Sequence, residues 1–160
     1  MDGREGGLPI VIQYHELLSK LCRPGIADGG APSQFDMPIT YTIDHDEKLI
    51  TEVWTGEIQA TDLAAHWRQY LADPEVMAIR RTIVDLRQAE IRLSGSDLDA
   101  LIRGIVLPAL KGRDWKTALV VEGPAQFGLG RQYHAFADCY SKDAIFQNME
   151  DARNWINGLG

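Results

Sequence analysis

The chain has 160 residues, 45% of them hydrophobic and 24% charged, with 16 basic against 23 acidic side chains and a net charge of −7. That length holds one domain of ordinary size, with a core large enough to need no staples. The acidic balance excludes a general nucleic-acid binder, because affinity for phosphates depends on basic patches.

No apolar stretch approaches the roughly 20 residues that cross a bilayer, so the chain is not expected to be an integral membrane protein. The start, "MDGREGGLPIVI", lacks a net-basic opening and a long apolar run, and a cytoplasmic location is expected. Cys22 and Cys139 form no CxxC pair, and His15, His45, His66 and His134 show no metal-ligand spacing. Reduced thiols, no metal and no cofactor are the expectation.

Residues 1–36 stand apart. "IQYHELLSKL" has helical spacing with Leu17, Leu18 and Leu21 on one side, but "CRPGIADGGAPSQFD" is too rich in small and turn-forming residues to organise a core. The expected organisation is a flexible extension over 1–36, upstream of a true start at Met37, followed by one α/β domain over 37–160. Charge is uneven along that domain. Residues 37–79 carry two bases against eight acids, and residues 80–131 nine bases against six acids.

Regular patterning begins at "MPITYTID", where Ile39, Tyr41 and Ile43 alternate with polar residues as in a half-buried strand. "KLITEVWTGEI" is a second strand, and the short link "DHDEK" makes the two a hairpin. The period then changes. Leu63, Trp67, Tyr70 and Leu71 fall at i, i+4, i+7 and i+8, one face of a helix with Thr61 as its expected N-cap and Asp73-Pro74 as its stop. "RTIVDL" and "KTALVV" are more continuously apolar, as central parallel strands covered on both faces are.

Between those two strands, a helix is expected from Asp97 to about Leu110. Leu98, Leu101, Ile102, Ile105, Val106, Ala109 and Leu110 cover about half its circumference, and Leu107 lies outside that arc. Pro108 removes the bond to the Gly104 carbonyl, so a kink is expected there. Leu101, Ile105, Leu107 and Pro108, with Trp115 as a partly exposed neighbour, are candidates for a ligand pocket or interface. Three readings stand: a broadly buried core helix, a dimer face, or the wall of a pocket for a lipid-like ligand.

"GPAQFGLG" follows a strand and precedes a helix but has neither GxGxxG nor the Walker lysine, so it reads as a turn with close helix packing. Leu129, Tyr133, Phe136 and Tyr140 then fall at helical spacing, "AIFQ" is a last short strand, and "NMEDARNWINGLG" a last helix. That helix has Asn148 as cap, Gly158 as terminator and Ala152, Trp155 and Ile156 inward. The order ββαβαβαβα gives an α/β fold, a mixed, mostly parallel sheet of about five strands with helices packed on it.

Taken in order, "ITYTIDHDEKLITEVWTGEI", "RRTIVDLRQAEI", "DWKTALVV" and "YSKDAIFQNMEDARNWI" resemble bacterial SpoIIAA-like proteins, the STAS-like domains also grouped with CRAL-TRIO-type lipid-binding folds. The resemblance runs from about Pro38 to Gly158. It implies a STAS-like fold and, from the anti-sigma-antagonist type, a partner kinase that phosphorylates a serine opening the helix after the third strand. That serine lies in an Asp-Ser-Ser-Gly motif, where this chain reads "RLSGSDL" instead.

Ser94 and Ser96 therefore carry two readings, phosphorylation site or helix cap. A phosphate at a helix N-terminus meets free N–H groups and the positive end of the dipole, with Arg92 nearby. Against it, Ser96 and Asp99 fit a relaxed capping box, and Asp97 and Asp99 would repel the phosphate. No Gly-x-Ser-x-Gly elbow, HExxH or catalytic-cysteine signature is present, and Asp85, ending the third strand, is an isolated carboxylate. The expected function is non-enzymatic: a regulatory or interaction domain binding a protein partner or itself (a homodimer). The alternative is a carrier of a small apolar ligand or lipid near helix 97–110.

Overall fold

The computed structural model describes residues 37–137 and 141–159. The helix expected within 1–36, together with His15, Cys22, Cys139 and Tyr140, lies outside the described residues.

The hairpin forms as the alternation requires. Strands β1 (Ile39–Asp44) and β2 (Leu49–Ile58) pair antiparallel from Ile39 opposite Trp54 to Asp44 opposite Leu49. In the turn, the Asp44 carboxylate accepts the N–H groups of Asp46 and Glu47 at 3.0 and 2.9 Å, the local bonding that suits Asp to turns. Then follow α1 (Ala60–Tyr70), α2 (Pro74–Ile79), β3 (Arg81–Ile91), α3 (Gly95–Leu101), a π-helical turn (Ile102–Val106) and α4 (Leu107–Leu110). The chain closes with β4 (Trp115–Val120), α5 (Pro124–Ala137), β5 (Ser141–Phe146) and α6 (Met149–Ile156). The sheet order is β1-β2-β3-β4-β5, antiparallel only at β1–β2. This is the mixed, mostly parallel five-stranded α/β sheet read from the sequence.

The two sheet faces are unequally covered. One carries the large core, with Ile50, Trp54, Leu63, Trp67, Val84, Leu98, Ile102, Val106 and Leu119 among its buried residues. The other carries a small core in which Ala152 and Ile156 of α6 meet Leu49, Ile83, Ala118 and Val120. Lys116 and Arg81 fasten α6 by donating to the carbonyls of Trp155 (2.6 Å) and Ile156 (3.1 Å) in its last turn. Asn148 caps the other end through the Asp151 N–H at 2.8 Å, and Gly158 leaves the helix at φ 76°.

Four local expectations are corrected. Asp73-Pro74 does not simply stop a helix: Asp73 accepts the Glu75 N–H at 2.9 Å and caps the short α2, with Pro74 first in the helix where its missing N–H costs nothing. The preceding helix starts at Ala60, so Thr61 lies in its first turn, and the Asp62 carboxylate takes the Gln59 N–H at 2.9 Å. The third helix starts at Gly95 and is interrupted before Pro108. The Leu107 N–H reaches back five residues to the Ile102 carbonyl, and Pro108 is second in a fresh α-helical turn instead of breaking an established one. Trp115 is 4% exposed. Its charged neighbours, Asp114 and Lys116, misled because adjacent strand residues face opposite ways.

Candidate functional site

Alternation on β2 places Ile50, Glu52 and Trp54 on the same inward face. A carboxylate is thereby driven into the large core, where Glu52 is 3% exposed. Burial of such a group is costly unless partners replace its water. One partner is the Trp54 indole, whose Nε1–H donates to Oε2 at 3.2 Å. Another comes from α1, where helical spacing sets His66 between Leu63 and Tyr70, and its Nε2 lies 2.9 Å from the same oxygen.

Tyr70 extends the network, its hydroxyl lying 2.7 Å from Thr82 Oγ1. Burial first, and the negative charge of Glu52 second, push its phenol well above the ordinary tyrosine range, so it stays protonated as a donor. The imidazole of His66 stacks on the Tyr70 ring at 5.2 Å, and Tyr41 meets that ring edge-on at 5.1 Å. Tyr41 in turn donates to Asp73 at 2.8 Å, tying the network to the cap of α2.

Beside these groups lies a cavity of about 60 Å³. Glu52, Tyr70, Thr82 and Thr117 are its polar lining, and Val106 of the π-helical turn, Leu110 and Trp115 form part of the apolar wall. An engineered apolar cavity of about 150 Å³ accepts benzene, and one water needs roughly 10–15 Å³. The space therefore matches a few waters or a group of two or three heavy atoms.

Of the five residues proposed from sequence for a pocket or interface, Trp115 lines this cavity. Leu101, Ile105 and Leu107 are half-buried against the outside of the same core, and Pro108 is exposed. Glu52 and His66 were not singled out by the sequence reading. The signal was nonetheless present: Glu52 sits two residues from Ile50 and from Trp54, and His66 lies on the apolar stripe of its helix. Among the described residues, no group of three or more His, Cys, Asp or Glu side chains is placed to hold a metal.

The serines lie elsewhere, at the start of α3. Ser94 caps the helix: its Oγ accepts the Asp97 N–H at 3.1 Å, and Asp97 Oδ2 accepts the Ser94 N–H at 3.0 Å. The box thus forms two residues ahead of the expected Ser96–Asp99 pair. Ser94 also donates its hydroxyl to Asp97 at 2.6 Å, so the 2.9 Å contact between the two hydroxyls must have Ser96 as donor. These bonds hold the Asp97 carboxyl below its ordinary range, the Ser94 side chain being the larger cause.

A cap of this kind contributes about 0.5–2 kcal/mol, and Ser94→Ala is expected to lose that amount while Ser96→Ala stays within about 0.5 kcal/mol of wild type. Because the folded-state pKa of Asp97 is depressed, its contribution is present above the unfolded carboxylate range and disappears as pH falls through the folded value. Chemical denaturation at neutral and acidic pH should therefore show the Ser94→Ala deficit shrinking with acid. A constant deficit would mean that Asp97 is not part of the cap.

Two further features close off other chemistry. At the turn entering α5, Gln126 Oε1 accepts the N–H groups of Glu122 and Gly123 at 2.8 and 3.3 Å, so the donors a phosphate would need are already satisfied. Asp85 lies within β3, not at its end, and forms a two-pronged pair with Arg87 at 2.9 and 2.8 Å. That hydrogen bonding holds the Asp85 carboxyl below its usual range. The pair sits where β3 gains one residue against β2, a bulge that turns Arg87 and Gln88 outward while Ala89 returns to the core.

No protein-family model matches the chain, and no curated protein matches it. Among solved structures, it is similar to an uncharacterized protein of the DUF3478 family with a SpoIIAA-like fold from Shewanella loihica PV-4. The TM-score is 0.53 at 14% identity, covering 82% of this chain and 99% of that one. A second similar structure is an anti-sigma factor antagonist from Mycobacterium paratuberculosis, with a TM-score of 0.48, 17% identity, and coverage of 76% and 96%. The chain has a SpoIIAA-like fold.

Proposed function

We propose that this chain is a non-enzymatic regulatory domain that docks a protein partner across α5 and the adjoining N-terminus of α3. The observation that carries the reading is the outward side of α5. Ala125, Phe127, Gly128, Arg131 and Gln132 are exposed there, Phe127 at 46%. No acidic residue occurs anywhere in α5, although the chain's net charge is −7. Aromatic and Arg side chains without acids are the composition favoured at interface centres. Gln132 also abuts Gly95, since a Cβ there would come within 3.2 Å of its amide nitrogen, so the docking face reaches the capped serines. Phosphorylation of the exposed Ser96 would place charge on the rim of that face and so regulate docking.

The absence of a reactive role is supported by the geometry of the core: Glu52, bonded to His66, lines a space of about 60 Å³, small for a substrate of ordinary size. A lipid carrier finds less support, since an acyl chain does not fit about 60 Å³.

The test is photo-crosslinking from position 132 of the full chain in cells that express it, with the same probe at the exposed Lys142 as control. A discrete adduct at 132 alone, abolished by Phe127→Asp, is expected, and that variant should keep its stability within about 0.5 kcal/mol. An adduct of twice the chain mass would make the partner a second copy. An adduct indifferent to Phe127→Asp, or none at all, would sink the docking face.

A further inference from the structure

We propose that the cavity beneath α1 and α5 is a binding site for a small ammonium group, independent of the docking face on α5. The lining contains one charged side chain, Glu52, and no lysine or arginine. Its carboxylate is held by the Trp54 indole and by His66 Nε2. Both contacts fall on one oxygen, Oε2, of a carboxylate that itself lines the cavity. An ammonium group entering the cavity would add a charged hydrogen bond to that carboxylate.

The rest of the wall favours the same class. Trp54, Trp67, Tyr70, Trp115 and Tyr133 line the space, and aromatic rings attract cations through their negative faces. Thr82 and Thr117 add buried hydroxyls that can accept an N–H donor. An anion would meet Glu52 as a like charge, and a purely apolar ligand would use neither that carboxylate nor the two hydroxyls.

Size narrows the class. About 60 Å³ accommodates a methylammonium-sized group. Leu71 and Tyr133 are half-buried while the other lining residues are buried, so the entrance lies between the end of α1 and α5. A free small amine would fit wholly inside. The tip of a longer amine would enter with its tail leaving past Leu71 and Tyr133. The shared chemistry is the ammonium head.

The experiment is an NMR titration of the full-length chain, following the Trp54 indole N–H at constant ionic strength. Methylammonium, n-butylammonium and the neutral methanol are the probes. Methylammonium is expected to saturate at roughly 10 mM or above, the ceiling for so few heavy atoms, and to bind about tenfold or more tightly than methanol, as a charged hydrogen bond warrants. Tighter butylammonium would identify a long amine and tighter methylammonium a free one, both within the proposal. Glu52→Gln keeps the shape and removes the charge, so it should bring methylammonium down to the level of methanol while the melting curve confirms the fold. If that variant does not fold, the wild-type comparison decides by itself. Equal responses to methylammonium and methanol, or no saturation by about 100 mM, would overturn the site, as would a Glu52→Gln variant that still prefers the cation.

Discussion

His66→Leu is expected to destabilise the domain by about 3–5 kcal/mol, because it leaves the Glu52 carboxylate buried with its principal partner gone. An exposed ion pair would give at most about 1 kcal/mol, and the pair here is not exposed, with side chains 9% and 4% accessible. The distinguishing comparison is the double variant Glu52→Leu/His66→Leu. Replacing both partners with apolar groups removes the desolvation cost together with the attraction, so most of the loss should be recovered. Urea unfolding with an unchanged slope would read this directly. If the double variant were as unstable as the single one, leucine packing and not the orphaned carboxylate would be the cause.

Trp115→Ala should cost a similar amount, about 3–5 kcal/mol, as fully buried aromatic truncations do. A tryptophan on the surface would have cost about 0.5 kcal/mol or less, so the measurement separates the buried position seen here from the partly exposed one expected from its charged neighbours. Trp115 lies edge-on to Tyr70 at 6.3 Å and already borders the cavity. Its removal joins new space to old. Indole or benzene is therefore expected to raise the melting temperature of Trp115→Ala while leaving wild type unchanged, as apolar ligands fill an engineered void. No rescue would mean that the surrounding helices had collapsed into the gap.

The strands were legible in the sequence because each carries its own period, from the alternation of Ile39, Tyr41 and Ile43 to the continuous "KTALVV". The serine cap was half legible. Ser94–Asp97 and Ser96–Asp99 satisfy the same spacing, and choosing between them requires knowing that α3 starts close against Gln132 at Gly95. The π-helical turn was not legible as such. Pro108 announces a missing hydrogen bond but not whether a helix bends at that residue or takes up an extra one earlier. Asp85 was misjudged because the apolar run ends at Leu86, whereas the ladder to β2 continues through a bulge to Ile91. The Glu52–His66 pair spans a strand and a helix 14 residues apart. Each periodicity marks its own residue as inward, but only the packing of α1 over β2 joins them.

The sheet's order, β1-β2-β3-β4-β5, has a kinetic consequence. Every strand pairs with its predecessor in the chain, so no strand waits for a later segment to be inserted beside it. Only the β1–β2 link is short, but each later pairing closes a single helical crossover, which keeps every pairing as local as a parallel ladder permits. Each newly added strand docks on an edge that already exists, an assembly that can run in step with synthesis from the ribosome. The step left to the end is the docking of α6, since its two basic anchors, Arg81 and Lys116, lie on β3 and β4 well before the helix itself emerges. Until then the back of those strands stays uncovered, which makes the final helix the latch on a body whose front has already condensed.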